Sequence, residues 1–184
     1  MRMQIQNNGL EILKQLEWIK TIVRAFLMKT KMKANIKGYL LDTNNCIYYL
    51  NALKKQEEKQ SSQEKKVLEI INYIKNNTTL YMSEATLGEL IFGAENSQRK
   101  EYNLEQIKIF KQAILPLSVD QEFWAIFGKI KAIQRKIGKP ISDMDMLIAA
   151  TAKRYDLVLA TNDSDLDNLD YQSEIEIDRE NWAK

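Results

Sequence analysis

The stretch Gly38-Tyr39-Leu40-Leu41-Asp42-Thr43-Asn44 constrains this chain more than any other. A short apolar run bounded by turn-forming residues reads as a buried strand. It delivers an aspartate to its carboxyl end, where open α/β sheets place their ligands. The pattern returns in Leu157-Val158-Leu159-Ala160-Thr161-Asn162-Asp163. Between the two runs, apolar residues recur at helical spacing. Val67, Ile70, Ile71 and Ile74 share one side of a helix. So do Leu87, Leu90, Ile91 and Ala94 after an N-cap at Ser83, and Phe123, Ile126, Phe127, Ile130 and Ile133 after Asp120. A short helix over residues 45–53 turns Ile47 and Leu50 inward, and one capped by Ser142 turns Leu147, Ile148, Thr151 and Tyr155 inward. Another helix is expected over residues 100–113. Further strands are expected at residues 78–82, 115–117 and 174–177, and residues 54–66 read as a solvated connection. Strands alternating with helices predict a three-layer α/β/α domain around a central parallel sheet.

What the chain lacks narrows its chemistry. It contains no histidine. That removes serine and cysteine triads of the usual kind, His-based acid–base ribonucleolysis and histidine-ligated zinc. The lone Cys46 rules out an internal disulfide framework and any cysteine-rich zinc site, and it fits a reducing compartment such as the cytoplasm. Carboxylates, lysines, hydroxyls or a metal held by oxygen remain. Hard oxygen donors point to Mg2+ or Mn2+. No apolar run is long enough to span a bilayer, so no membrane partner is expected.

The net charge of +2 is unevenly spread. Residues 1–37 carry eight lysines and arginines against two glutamates, and the rest of the chain is net acidic. Leu10, Leu13, Leu16, Ile19, Ile22, Val23, Phe26 and Leu27 make that segment an amphipathic basic helix. Residues 1–35 are thus expected to form an N-terminal helical extension to a domain over residues 36–184. The extension is either a helix docked on the domain or a stretch upstream of a start at Met28 or Met32. A membrane-surface anchor and an RNA-contacting arm are the sharper readings.

Four acids carry the chemical expectation. Asp42 and Asp163 end neighbouring strands, Glu89 lies off the buried stripe of its helix, and Asp145 shares a helix face with Ala149 and Ala152. Each has an innocent alternative: a turn or cap for Asp42, a solvated helix position for Glu89, a capping box with Ser142 for Asp145, a polar turn for Asp163. Gathered in one place, such carboxylates repel by roughly 3 kcal/mol per pair at ~5 Å, and a divalent cation reverses the sign. An acidic mouth repels a polyanion, so Lys129, Lys131, Arg135, Lys136 and Lys139, with Lys153 and Arg154 beyond, are candidates for phosphate contacts. A solvated helix face accounts for them equally well.

The order Leu-Leu-Asp-Thr-Asn, Gly-Glu-Leu, Asp-x-x-Ile-Ala-Ala and Thr-Asn-Asp resembles the PIN-domain family, and within it the VapC-type toxin ribonucleases. The likeness covers roughly residues 38–184, including Ile141-Ser142-Asp143-Met144-Asp145 and the closing Glu180-Asn181-Trp182. It departs at Leu166, where the family often has Phe, and in the amino-terminal extension. The resemblance implies that Asp42, Glu89, Asp145 and Asp163 fill the family's acidic positions, with Asn44 and Thr161 in support. Asp42, Asp145 and Asp163 would hold Mg2+ or Mn2+, and Glu89 would orient or deprotonate water attacking an RNA phosphodiester in line. It also implies a cognate antitoxin over the cleft and a toxin homodimer, with transfer RNA among the candidate targets. Two competing expectations remain. One is a non-catalytic module of the same fold that docks a protein or RNA partner. The other is an aspartyl phosphatase, weakened because Asn44 stands where such enzymes commonly need a second acid.

Overall fold

Three consecutive apolar residues with no polar alternation require cover on both faces of a strand. That is what surrounds Tyr39–Leu41 (β1), all three residues of which are buried in the computed structural model. The structure describes residues 38–139, 141–169 and 175–183. The expected N-terminal helix lies outside them. To one side of β1 runs Leu80–Ser83 (β2), then Leu115–Leu117 (β3); to the other runs Val158–Ala160 (β4), then Arg179–Glu180 (β5). All four pairings are parallel, in the order β3-β2-β1-β4-β5, with Leu41 beside Met82 and Ala160. At the entry of β1, a Cβ built on Gly38 would lie 2.8 Å from the Thr79 carbonyl and 2.8 Å from the Tyr81 ring. Only glycine lets the strands enter this close together.

The helices are Thr43–Lys54 (α1), Ser62–Ile74 (α2), Glu84–Glu95 (α3), Lys100–Ala113 (α4), Gln121–Ile137 (α5) and Asp143–Tyr155 (α6). Asp42, Ser61, Ser83, Asp120 and Ser142 each cap one of them, accepting a backbone N–H three residues on. The core between sheet and helices includes Leu40, Phe123, Ile130, Ile148, Ala149, Leu159 and Leu166. Leu166 is fully buried there, in place of the bulkier aromatic. Among the described residues, no helix is long and apolar enough to cross a membrane.

Several expectations need correction. α1 buries Asn45, Cys46, Tyr49 and Ala52, whereas Ile47 is 41% exposed. The cap at Asp42 sets the phase of this helix, so the polar Asn45 faces inward. α2 starts within the stretch read as a solvated connection. Ser61 and Glu64 close a reciprocal capping box, and Lys55 adds an ion pair to Glu64 at 2.6 Å. In α3, Thr86 is buried and Ile91 is not; in α6, Met146 is buried while Leu147 and Tyr155 are only partly so. The last strand lies at Arg179–Glu180, after the segment expected to hold it.

α5 and α6 form an antiparallel hairpin. Arg154 grips Asp120 through two nitrogens at one end, and Lys131 grips Asp143 at the other. Gly138, at φ 69°, supplies the left-handed residue that ends α5. The carboxyl end of α5 therefore stands beside the amino end of α6.

Candidate active site

The strand order changes direction between β1 and β4. β1 connects onward to β2 and β3 on one side, and the chain returns to β4 and β5 on the other. In open α/β sheets the crevice beyond the carboxyl ends at such a switch point is where ligands sit. Here β1 ends in Asp42 and β4 ends in Thr161. The Thr161 hydroxyl donates to Asp42 Oδ2 at 2.6 Å, and the Asn45 N–H donates to Asp42 Oδ1 at 2.7 Å. The Asn45 carboxamide crosses to the Ala160 carbonyl at 2.8 Å, tying the start of α1 to the end of β4. Beyond Thr161, the Asp163 N–H donates back to the Thr161 hydroxyl at 3.0 Å, and the Asp165 N–H donates to Asp163 Oδ1 at 2.8 Å.

Asp42 is 3% exposed. Burial pushes its carboxyl up to about 6, against hydrogen bonds from Thr161, Asn45 and Asn162 that pull it down; the Asp163 charge pushes the same way as burial. Asp145 sits in the first turn of α6, half-buried. Its Oδ2 accepts from the Ser142 hydroxyl at 2.6 Å, while its own N–H donates to that hydroxyl at 3.1 Å. The expected capping box thus closes through the hydroxyl, not through the Ser142 backbone. Burial raises the Asp145 carboxyl, Ser142 opposes it, and the charges of Asp163, Glu89 and Asp165 add to the rise. Glu89, on α3, accepts a hydrogen bond from the Thr43 hydroxyl.

The fold therefore links the four expected acids in a chain of electrostatic neighbours. Asp163 acts on both Asp42 and Asp145, and Glu89 acts on Asp145. Thr161 touches Asp42 as a supporting group. The Asn44 side chain is exposed, and its neighbours Thr43 and Asn45 make the supporting contacts instead. Asp165 is a fifth acid that sequence reasoning passed over. Its signal was present in the Asn-Asp-Ser-Asp turn, where an acid two residues after Asp163 can bind that carboxylate with its own N–H.

Of the expected cations, Lys129, Lys131, Arg135, Lys136 and Lys139 are all exposed on the half of α5 and the turn that approach the amino end of α6. Lys131 is committed to both oxygens of Asp143 at 2.7 Å. Lys153 and Arg154 belong to the opposite end of the hairpin, engaged by the Glu176 carbonyl and by Asp120.

A divalent cation is implied by this chemistry. Among the described residues, no three acidic side chains are drawn into a ready ligand cage. Asp42 is tied to Thr161 and Asp145 to Ser142. The donor set nevertheless suits a hard cation. Every candidate ligand is oxygen, and Asp42 is a desolvated carboxylate whose cost a cation would offset. The buried Asn162 Oδ1, in the turn between Thr161 and Asp163, has no hydrogen-bond partner among the described residues.

Comparison with known proteins gives a consistent result. Residues 39–171 match the model of the PIN domain family. Over 147 residues the chain is 33% identical to ribonuclease VapC2 of Haemophilus influenzae, covering 79% of this chain and 98% of that relative. It is 34% identical over 126 residues to the tRNA(fMet)-specific endonuclease VapC of Shigella flexneri, covering 68% of this chain and 86% of that relative. Among solved structures, VapBC-1 from nontypeable Haemophilus influenzae aligns with a TM-score of 0.65 at 26% identity, over 79% of this chain and 98% of that one. DNA-bound VapBC from Salmonella typhimurium aligns with a TM-score of 0.63 at 28% identity, over 80% and 99%. A parallel sheet with acids at its switch point, a family match across most of the domain and relatives that align nearly end to end lead to one conclusion: the chain belongs to the PIN-domain family, in its VapC-type branch.

Proposed function

We propose that this chain is the endoribonuclease toxin of a toxin–antitoxin pair, hydrolysing RNA phosphodiester bonds with Mg2+ or Mn2+ to leave 5′-phosphate and 3′-hydroxyl ends. The observation that supports the reading is the placing of Asp42 and Thr161 at the β1–β4 switch point, with Asp163 a charged neighbour of both Asp42 and Asp145 and Glu89 a charged neighbour of Asp145. Asp42, Asp145 and Asp163 would hold the cation, and the orphaned Asn162 oxygen is a further acceptor. A cation held there supplies Lewis acidity toward a phosphoryl oxygen and compensates charge on the leaving oxygen. The protein's own part is orientation and proton handling. Thr161 and the Asn45 N–H fix the Asp42 carboxylate and Ser142 fixes Asp145; Glu89 would orient or deprotonate the attacking water.

Water attack needs no 2′-hydroxyl, so RNA is supported by the relatives' names and not by the chemistry. The Shigella flexneri relative's name supports transfer RNA as the first target to test. The solved VapBC assemblies support a cognate antitoxin as partner. A basic antitoxin side chain entering the acidic cleft would neutralise the same repulsion that a cation does. The homodimer that the family resemblance implies belongs to the same reading; Phe92, 71% exposed on α3, offers apolar surface for it.

The test uses the purified full chain with transfer RNA and messenger RNA in Mg2+, Mn2+ or EDTA, with the cut ends mapped. Cleavage is expected to vanish in EDTA, return with either metal and leave 5′-phosphates. Undiminished cleavage in EDTA, or none under any condition, overturns the reading. The α5 cations extend it. Reversing Arg135 and Lys136 to Glu is expected to weaken RNA binding and to flatten its salt dependence. The log–log slope should fall by about one unit for each phosphate that the variant no longer neutralises. A slope identical to wild type in a binding titration removes those residues from the RNA path.

A further inference from the structure

We infer that Thr43 is a positioning residue for the reaction: its hydroxyl holds the Glu89 carboxylate toward the other acids. The inference rests on the ribonuclease reading above and assigns a role that the acids alone do not explain. Thr43 is the first residue of α1, placed immediately after the Asp42 cap, so its backbone is fixed by the same hydrogen bonds that fix Asp42. From there its Oγ1 donates to Glu89 Oε2, joining α1 to α3 across 46 residues of sequence.

Glu89 needs such a tether. Its side chain turns about three bonds. On one flank it borders a cavity of about 220 Å3 shared with Ile47, Leu50, Gly93 and Ile107, which leaves it room to swing away. Asp145 is a charged neighbour, and the like charges of the two carboxylates repel. Among the described residues, no other side chain donates to Glu89. The Thr43 hydroxyl opposes both the freedom and the repulsion, and it leaves Oε1 available to take a proton. Valine has the shape of threonine without the hydroxyl, and serine keeps the hydroxyl without the methyl. The pair therefore separates hydrogen bonding from packing.

The experiment measures steady-state cleavage of a short fluorophore–quencher RNA in Mg2+ by full-length wild type, Thr43→Val, Thr43→Ala, Thr43→Ser, Glu89→Gln and the Thr43→Val/Glu89→Gln double variant. Melting temperatures are recorded alongside. For Thr43→Val we expect kcat to fall about 10- to 100-fold while KM stays within about twofold, the range seen when a supporting hydrogen bond to a reactive group is removed. Thr43→Ala stands in if the valine variant folds poorly. Thr43→Ser should recover most of kcat. In the Glu89→Gln background, Thr43→Val should add little further loss, because the two residues act as one unit. Full activity in Thr43→Val overturns the inference, as does an undiminished Thr43→Val loss in the Glu89→Gln background or a change confined to KM. Absence of cleavage by wild type overturns the ribonuclease reading itself, and the inference with it. The two failures are distinct.

Discussion

Asp42→Asn is expected to abolish cleavage and, in the absence of metal, to make the protein more stable. The activity loss should exceed about a hundredfold, since even outer hydrogen-bond partners of metal ligands are worth up to that much. The stability gain follows from the raised pKa. Burial holds the Asp42 carboxyl at about 6 instead of 3.8, so the folded protein binds that proton more tightly than the unfolded chain does. The stabilisation from the bound proton is complete below about pH 4 and is lost as pH rises through about 6. At pH 7.5 the ionised carboxylate therefore costs about 3 kcal/mol relative to its protonated form. Asparagine carries no charge, caps a helix as well as aspartate and still accepts from the Asn45 N–H. Its amide must turn the Thr161 hydroxyl from donor to acceptor, which returns part of the gain. The net expectation at pH 7.5 in EDTA is about 2 kcal/mol, or roughly 4–8 °C in Tm. Thermal melts between pH 4 and pH 8 should show wild type losing about 3 kcal/mol more than the variant, which keeps only the smaller loss from the raised Asp145 carboxyl. Added Mg2+ should then raise the wild-type Tm and leave the variant unmoved. A variant less stable than wild type at pH 7.5 would falsify the assignment of Asp42 as a desolvated carboxylate awaiting a cation.

The same residues show which parts of the fold and site were legible in the sequence. Leu40, Leu41, Leu159 and Ala160 are buried on both faces of the sheet, and that burial is written directly as uninterrupted apolar runs. Ser83, Asp120 and Ser142 announce helix starts because an N-cap needs a short side chain with an oxygen. The acids could be placed at strand ends for the same local reasons. Asn45 could not be placed. It is fully buried because its carboxamide reaches the Ala160 carbonyl, 115 residues away, and periodicity carries no trace of a bond between such distant residues. β5 was unreadable for a related reason. Arg179 and Glu180 have no strand pattern, and their pairing is made by backbone groups: the Leu159 N–H to the Asp178 carbonyl at 2.8 Å and the Thr161 N–H to the Glu180 carbonyl at 2.9 Å. Thr43 was overlooked because its contact depends on how two helices meet across 46 residues, whereas Asp165 was legible in its own turn and was passed over.

That polar edge strand makes Trp182 a position where truncation should cost several kcal/mol of stability. Trp182 is 3% exposed, its ring centroid 4.9 Å from that of Tyr39 on β1, with the planes tilted by 60°. Its indole N–H donates to Glu180 Oε2 at 3.0 Å, and the Tyr39 hydroxyl donates to Glu180 Oε1 at 3.4 Å. Burial, then the Glu180 charge, push the Tyr39 phenol above its ordinary range, so it remains a donor. The two rings thus clamp the Glu180 carboxylate and hold a two-residue strand that could not pair on its own. Trp182→Ala removes the ring, opens a cavity against Tyr39 and leaves Glu180 with one donor; about 4 kcal/mol is expected, or roughly 8–16 °C in Tm. Trp182→Phe keeps the ring contact and loses the N–H, for about 1–2 kcal/mol. Urea unfolding of both variants separates these amounts, and a loss below about 1 kcal/mol for Trp182→Ala would mean that the clamp does not hold β5. The consequence should reach the acids as well. The Thr161 N–H is held by the Glu180 carbonyl, and the Thr161 hydroxyl is held by Asp42 and Asp163. A frayed β5 therefore loosens the turn that presents Asp163, and Trp182→Ala should need more Mg2+ than wild type for half-maximal cleavage even at temperatures where it is fully folded.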